Sequence, residues 1–197
     1  KTPKEKNRKK RLRKKRGVVV QTFLPYKSFR ESAKVLDWKR LGKQRVEGMQ
    51  IINAIENPNK QGWQNHPATI MWTPYVTALK HYTNVMIREW ISRGYNNNMK
   101  LYDVDEFIND GMVHFPHWLG KEEFHSSHRA NLLRKDYEYY PQFGWKENPQ
   151  DPYVWHDVEG MWYEQHVGTG ERVYFVSKSK LIAKKVKKTL DSYGQKA

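Results

Sequence analysis

The stretch Asp37–Glu56, which reads DWKRLGKQRVEGMQIINAIE, decides the fold of this chain. Its first residue, Asp37, is a strong helix N-cap, and the Asn57–Pro58 pair that follows it is a helix stop. Between these limits apolar residues recur at helical spacing, at Leu41, Gly48 or Met49, Ile52 and Ile55. The pattern predicts one amphipathic helix that packs an apolar stripe on a core and keeps its charged residues on adjoining faces.

Helical patterns also dominate the sequence on both sides of this stretch. Ser28, with Glu31 three residues later, predicts a capping box and a short preceding helix. Three segments further along the chain have helical patterns: Ala68–Arg93 with a break at Pro74, Val104–Asn109, and Lys121–Asp136. Residues 137–155 are rich in aromatic residues and Pro, and we predict that they form an ordered loop.

Two segments near the end of the chain predict a hairpin and a last helix. Met161–His166 and Arg172–Val176 flank VGTG, which indicates a β-hairpin, and Lys178–Leu190 has the pattern of a basic helix. The predicted fold class is mostly α: a compact helical domain with a small C-terminal β-hairpin and basic terminal extensions. The predicted parts are a basic disordered arm (1–17), a helical domain (18–156), the hairpin (157–177) and a basic C-terminal helix (178–197).

The positive charge of the chain is concentrated at its two ends. The 36 Lys and Arg against 21 Asp and Glu give a net charge of +15. Residues 1–16 hold eleven basic residues and one acid, residues 178–197 hold seven and one, and the segment between them is almost neutral. A neutral body with cationic ends is typical of a protein that binds a polyanion. We expect four terminal side chains to neutralise phosphates: Arg11, Arg13, Lys184 and Lys185.

The composition excludes several classes of site. With no Cys, the chain has no disulfide, thiolate metal site, iron–sulfur cluster or thiol nucleophile. No apolar run reaches the roughly 18–20 residues of a membrane span, and no phosphate-binding or dinucleotide-binding glycine motif is present. We expect a cytoplasmic or nucleoid-associated protein (in the host cell if a phage encodes it) that uses no cofactor and no metal and has no membrane partner.

The first candidate site lies on the predicted helix quoted above. Lys43 and Glu47 form an i, i+4 pair beside Arg40 and Arg45, although such pairs are common on solvated helix faces. Gly42 is unusual inside a helix, where it costs about 1 kcal/mol relative to Ala. It therefore indicates close approach of a nucleic-acid backbone or of another helix.

Two further groups are candidate sites. The segment FHSSHRANLLRK (residues 124–135) carries donors suited to phosphate: His125, His128, Arg129, Arg134 and Lys135. His66, at the entry to a helix, is suited either to general acid–base catalysis or to capping that helix. A metal site is disfavoured, because no carboxylate accompanies the His pair at i, i+3.

Four blocks of the sequence carry a family resemblance. They are QTFLPY (21–26), RLGKQRVE (40–47), NHPA (65–68) with Met71–Trp72, and SHRANLLRK (127–135). These blocks resemble a bacterial and phage family that is grouped with the pyrimidine-dimer DNA glycosylases of the phage endonuclease V type. The resemblance runs from about Val20 to Trp155, so it implies that the helical domain is glycosylase-like.

The resemblance implies a bifunctional glycosylase/lyase that needs no cofactor. In such enzymes an amine attacks the sugar C1′, a Schiff base forms, and β-elimination cuts the strand with help from a carboxylate. The characterised enzymes use a terminal amine beside the first block, whereas a cationic arm precedes Gln21 here, and the place of their glutamate falls near Arg40. The nearest substitutes are Lys43 as an internal amine, if burial lowers its pKa, and Glu47 or Asp37 as the acid; we expect His66 to line the same site.

Two hypotheses follow from these residues. The first is a DNA-binding repair enzyme of the dimer-glycosylase type. The second is a non-catalytic nucleic-acid-binding subunit of a ribonucleoprotein or virion that reuses the fold, with DNA favoured over RNA as the polymer; the cationic arm supports it. A membrane-surface protein is disfavoured, because the predicted basic C-terminal helix has no Trp or Phe.

Overall fold

The structure is a computed structural model that describes residues 20–57, 59, 63–156, 162–165, 172–175 and 184–186. Its α-helices are α1 (Phe29–Val35), α2 (Trp38–Glu56), α3 (Pro67–Trp72), α4 (Val76–Ser92), α5 (Asp105–Asn109) and α6 (Glu122–Lys135). Short 3₁₀ turns occupy Trp63–Asn65, Thr73–Tyr75 and Tyr140–Phe143. The mostly α fold class predicted from the sequence is confirmed. The predicted arm at residues 1–17, including Arg11 and Arg13, lies outside the described residues.

The helices begin and end where the sequence predicts. The Ser28 side chain accepts a hydrogen bond from the Glu31 N–H, and the Asp37 side chain accepts from the N–H groups of Lys39 and Arg40. Both caps satisfy amide groups that a helix leaves unpaired at its N-terminus. The break predicted at Pro74 is the 3₁₀ turn that separates α3 from α4. The two predicted N-caps are therefore confirmed.

The longest helices, α2 and α4, pack along each other through two glycines of α2. A Cβ atom on Gly42 would lie 3.0 Å from a ring carbon of Trp90, and a Cβ on Gly48 would collide with the hydroxyl of Thr83. Because each glycine faces a side chain of α4, any larger residue would push the helices apart. The close approach predicted at Gly42 is therefore that of another helix.

A four-stranded antiparallel sheet follows the helices. Its strands are β1 (Tyr153–His156), β2 (Trp162–Gln165), β3 (Arg172–Phe175) and β4 (Lys184–Val186), in the order β1-β2-β3-β4. The pairing of β2 with β3 confirms the predicted hairpin. The loop predicted for residues 137–155 is corrected at its end, because β1 pairs with β2. All four residues of β1 are buried, since α3 and α6 pack on it.

The C-terminal helix predicted for residues 178–197 is wrong at Lys184–Val186. These residues form β4 and pair with β3 in the register Arg172↔Val186. A lysine-rich helix has little stability of its own, whereas the free edge of β3 offers backbone partners to an added strand. The rest of that segment lies outside the described residues.

The hydrophobic core lies between α2, α4, α6 and the extended segment 20–24. Three residues of this extended segment, Val20, Phe23 and Leu24, are at most 5% exposed, so the first block of the sequence crosses the centre of the domain. The largest fully buried side chains elsewhere include Trp72, Trp118, Tyr82, Tyr140 and Phe124. No helix among the described residues combines the length and apolarity that crossing a membrane requires.

Candidate active site

No strand among the described residues pairs with the extended segment 20–24, and side chains of α2 and α6 bond to its backbone instead. The Phe23 N–H donates to Oε1 of Gln44 over 2.8 Å, and the Leu24 N–H donates to Nδ1 of His128 over 3.2 Å. The Leu24 carbonyl oxygen lies 2.8 Å from Nδ1 of His125. A buried backbone requires such partners. Polar residues of both helices are therefore drawn into the centre of the domain.

Glu47 is the carboxylate at this centre, and it is only 5% exposed. Its Oε2 accepts a 2.6 Å hydrogen bond from Nε2 of Gln44, and the Gln21 backbone N–H also bonds to it. Burial raises the pKa of Glu47, and the positive charge of Lys43 opposes this rise most strongly. Glu47 is therefore a buried carboxyl whose affinity for a proton is higher than that of an ordinary glutamate.

The structure brings Lys43 and Glu47 together, as the sequence predicts. Nζ of Lys43 lies 3.6 Å from Oε1 of Glu47. The Lys43 side chain is 67% exposed, so the burial expected for this amine is not observed. The pair therefore consists of a buried carboxylate and a surface ammonium group.

Asp37 and Arg40 hold the start of α2 against the end of α6. Asp37 is an N-cap, and it also accepts a 2.5 Å hydrogen bond from the Tyr140 hydroxyl. Nη1 of Arg40 lies 3.3 Å from Asp37 and 3.2 Å from Asp136, and Nη2 donates to the Lys135 carbonyl oxygen over 2.7 Å. The carboxylate oxygens of Asp37 accept bonds from inside the protein, and the Nη1 and Nη2 groups of Arg40 donate inside it. The structure therefore shows Asp37 as a helix cap and Arg40 as a link between α2 and α6. The roles of Asp37 as the acid and of Arg40 as a phosphate ligand stay predictions.

Lys135 is the last residue of α6, and its side chain lies over the Phe23 ring. Its Nζ is 5.7 Å from the centroid of that ring, while the residue as a whole is exposed to solvent. Burial of the ammonium group lowers the pKa of Lys135, and the charges of Arg40, Arg134 and Lys43 lower it further, against an opposing effect of Glu47. Phe23, Lys43, Glu47 and Lys135 are called the Glu47 cluster below.

Two polar side chains that the sequence did not single out support this cluster. Gln44 is fully buried and links Glu47 to Phe23, and the Tyr82 hydroxyl donates to its Oε1 over 2.6 Å. Gln44 follows Leu41 by three residues and precedes Gly48 by four, so it falls on the apolar stripe itself. A polar residue at core spacing is the signal that would have found it.

His66 caps α3, one of the two roles the sequence allows. Its Nδ1 accepts a 3.1 Å hydrogen bond from the Ala68 N–H, and its ring contacts Trp63 and Trp155. Burial lowers the pKa of His66 to about 4, so the ring is neutral at physiological pH and its Nδ1 lone pair is free to accept this bond. None of these contacts joins His66 to Glu47.

Most of the residues of α6 between Phe124 and Leu133 are buried inside the protein. His125 and His128 are at most 3% exposed and bond to the Leu24 backbone, and burial lowers the pKa of each. Arg129 donates to the Pro25 carbonyl oxygen over 2.8 Å and forms ion pairs with Glu122 and Glu147. These three residues were predicted to bind phosphate, and the structure shows each of them bonded inside the domain.

Two other predicted phosphate ligands also have internal partners. Arg134 donates to the carbonyl oxygens of Pro149 and Asp151, over 2.9 and 3.3 Å. The Arg45 guanidinium stacks 4.1 Å from the Trp90 ring centroid and donates to Oδ1 of Asn97 over 2.8 Å. Both arginines fasten loops to helices. Lys184 and Lys185 belong to β4, and the structure places their backbone only.

A separate cavity of about 1000 Å³ lies between α1, α4 and residues 115–119. Phe29, His81 and Phe115 line it together with Arg30 and Arg88. None of the predicted catalytic residues contributes to its wall. Across the described ranges of the chain, no group of three or more His, Asp or Glu residues is arranged to hold a metal ion.

The comparison with protein families finds a match for part of this domain. Residues 20–103 match the family described as pyrimidine dimer DNA glycosylase. The matched residues run from the extended segment through α1–α4 and include Gln44 and Glu47, whereas α6 and Lys135 lie beyond them. The family resemblance predicted from the sequence is confirmed over these residues. No curated protein and no solved structure matches the chain. The bacterial and phage branch of the family stays a prediction.

Proposed function

We propose that this protein is a DNA-repair enzyme that removes a damaged base by glycosylase chemistry and then cuts the strand through a Schiff base. One observation carries the proposal. The buried carboxylate of Glu47 lies within the residues that match the glycosylase family, the amine of Lys43 lies 3.6 Å from it, and its charge also acts on the amine of Lys135. An amine and a carboxylate with a raised pKa are the two groups that such a reaction requires.

The reaction proceeds by displacement and elimination. The amine nitrogen bonds to C1′ of the deoxyribose, the bond from C1′ to the base breaks, and the base leaves with the electron pair and takes up a proton. The sugar ring opens to an iminium ion, which is the protonated Schiff base. Loss of a proton from C2′ then breaks the C3′–O bond and releases the 3′ phosphate. Water finally hydrolyses the imine and frees the amine.

Glu47 serves this sequence in two ways. Its carboxylate stabilises the positive iminium ion once that ion forms nearby. Because burial raises the pKa of Glu47, the group also exchanges protons closer to neutral pH than an exposed glutamate does. The hydrogen bonds from Gln44 and from the Gln21 backbone fix the carboxylate, so its orientation is set before DNA binds.

The surface near the start of α2 offers contacts for DNA. Trp38 is 55% exposed and Tyr137 is 58% exposed. The ion pair between Arg40 and Asp136 joins the two segments that carry these rings. Exposed aromatic rings stack on unpaired bases of any sequence. Lys39 and Lys43 provide positive charge at the same place, and we propose that the two cationic ends of the chain add phosphate contacts further away.

Borohydride trapping tests the proposed function. The wild-type protein is incubated with a duplex that carries an abasic site, or with one that carries a cyclobutane pyrimidine dimer, and sodium borohydride reduces any Schiff base to a stable bond. We expect a covalent complex with both duplexes and none with undamaged DNA. A protein that binds these duplexes in a salt-sensitive way but forms no adduct with either would be the non-catalytic nucleic-acid-binding subunit of the second hypothesis.

A further inference from the structure

The end of α6 supplies the second amine of the Glu47 cluster. The Arg40 guanidinium bonds to the Lys135 carbonyl oxygen over 2.7 Å and to Asp136, so the last turn of α6 is held against the start of α2. This tie places Nζ of Lys135 over Phe23, whose backbone is bonded to Gln44. The charges of Lys43 and Glu47 act on Lys135 although it comes from a different helix.

We propose that Lys135, and not Lys43, is the amine that forms the Schiff base with the deoxyribose. The inference rests on the proposed function and assigns its nucleophile. It differs from the expectation drawn from sequence, in which Lys43 was the internal amine and Lys135 a phosphate ligand.

The two lysines differ in their ionic partners. Nζ of Lys43 lies 3.6 Å from Oε1 of Glu47, so this amine is engaged in an ion pair. Among the ion pairs between described residues, none involves Lys135. Its charged neighbours are instead three cations, Arg40, Arg134 and Lys43, with Glu47 as the opposing anion.

These surroundings make the Lys135 amine the more reactive one. Neighbouring cations and partial burial both favour the neutral amine, and the exposure of the residue leaves it open to DNA. In the reaction Nζ loses a proton to solvent and bonds to C1′, the base departs with the bonding electron pair, and the iminium charge forms beside the Glu47 carboxylate. Lys43 keeps its ion pair with Glu47 and contacts the phosphate backbone.

The deciding experiment compares substitutions at the two lysines. Lys135→Arg keeps the positive charge but removes an amine that can lose its proton at moderate pH, and Lys135→Met removes both. Lys43→Arg is the matched change at the other amine. Lys121→Met is the control, because Lys121 is also exposed but stands at the opposite end of α6. Urea unfolding and DNA binding are measured for each variant, so that loss of fold or of affinity is not mistaken for loss of the nucleophile.

The trapped complex of the wild-type protein is digested, and the modified lysine is identified by mass spectrometry. We expect the adduct on Lys135, loss of trapping to background in Lys135→Arg with DNA binding retained, and trapping in Lys121→Met within threefold of wild type. In Lys43→Arg we expect the adduct to form on Lys135 still. An adduct on Lys43 or on any other amine, or full trapping by folded Lys135→Arg, would overturn the assignment while leaving the proposed function intact. Absence of any wild-type adduct would instead remove the proposed function and the assignment together.

Discussion

The two ends of α6 carry similar residues but have different surroundings. At its first turns, His125, His128 and Arg129 are buried and bond to the Leu24 and Pro25 backbone. At its last turn, Lys135 is exposed and has no ion pair among the described residues. The comparison teaches that a basic residue of α6 has a structural role where it bonds to the backbone of residues 24–25. At the end of the helix, where Lys135 makes no such bond, the basic side chain is available for chemistry.

The largest expected effect concerns Glu47, the carboxylate that we propose acts together with the exposed end of α6. Replacing Glu47 by Gln keeps the acceptor for Gln44 but removes the charge and the exchangeable proton. We expect the rate of borohydride trapping on an abasic duplex to fall roughly 10²–10⁴-fold, the usual size of an acid–base contribution.

The stability of Glu47→Gln is its internal control. Because burial raises the pKa of Glu47, the folded state holds this proton more tightly than the unfolded state, so wild-type stability falls as the pH rises past the ordinary value of 4.5. The Gln variant lacks this loss. At neutral pH we expect it to be at least as stable as wild type in urea, and a clear destabilisation would mean that Glu47 acts mainly through structure.

The next effect concerns Arg129, in the buried part of α6. Arg129→Met leaves the Pro25 carbonyl oxygen and the half-buried Glu147 without their main donor. Breaking a buried charge network of this kind costs about 3 kcal/mol or more of unfolding free energy, which urea titration measures. Trapping per folded molecule should stay near the wild-type rate. A stable Arg129→Met protein that had lost only its affinity for DNA would reverse the comparison, since Arg129 would then be a phosphate ligand.

A smaller effect is expected on DNA binding by the surface near the start of α2. Trp38→Ala removes an exposed ring, and we expect binding to a lesion-bearing duplex to weaken by about 1–3 kcal/mol, the usual contribution of one stacked base. Fluorescence anisotropy at fixed salt measures this change. Ile91→Ala is a matched control, because Ile91 is also about half exposed, at 49%, but is not aromatic. Equal losses in both variants would rule out stacking by Trp38.

The smallest effect separates the two lysines by pH. Lys43→Met removes a surface charge whose ion pair contributes less than about 1 kcal/mol to stability. It also removes one of the cations that lower the pKa of Lys135; Arg40 and Arg134 remain, and Glu47 still opposes them. The pKa of Lys135 therefore rises, and the pH at which trapping reaches half its maximum should move upward. An unchanged pH profile would show that Lys43 and the reacting amine do not interact.

The sequence predicted the helices well because their limits are local. Ser28 and Asp37 cap the helices that follow them, and Pro74 interrupts the next one, whatever the rest of the chain does. Strands β1 and β4 were missed because a strand depends on its neighbours. Tyr153–His156 pairs with β2 and is covered by two helices, and neither partner is visible in the segment itself.

The part of the candidate site that lies within one helix could be predicted from the sequence, and the contacts between distant segments could not. The i, i+4 spacing of Lys43 and Glu47 is a property of one helix, so their contact could be predicted. The internal roles of His125, His128 and Arg129 depend on a segment about one hundred residues earlier whose backbone lacks a strand partner. The position of Lys135 relative to α2 could not be predicted for the same reason, because it depends on the bonds of Arg40 to the Lys135 carbonyl oxygen and to Asp136.

Mass mapping of the amine that wild-type protein links to an abasic duplex under borohydride is the most direct measurement of the central claim. The structure predicts a single reduced linkage, at the end of α6, whose rate of formation depends on Glu47. A protein that binds the duplex and yields no linkage over the pH range in which lysines lose their protons would contradict the claim that this junction of helices is an active site.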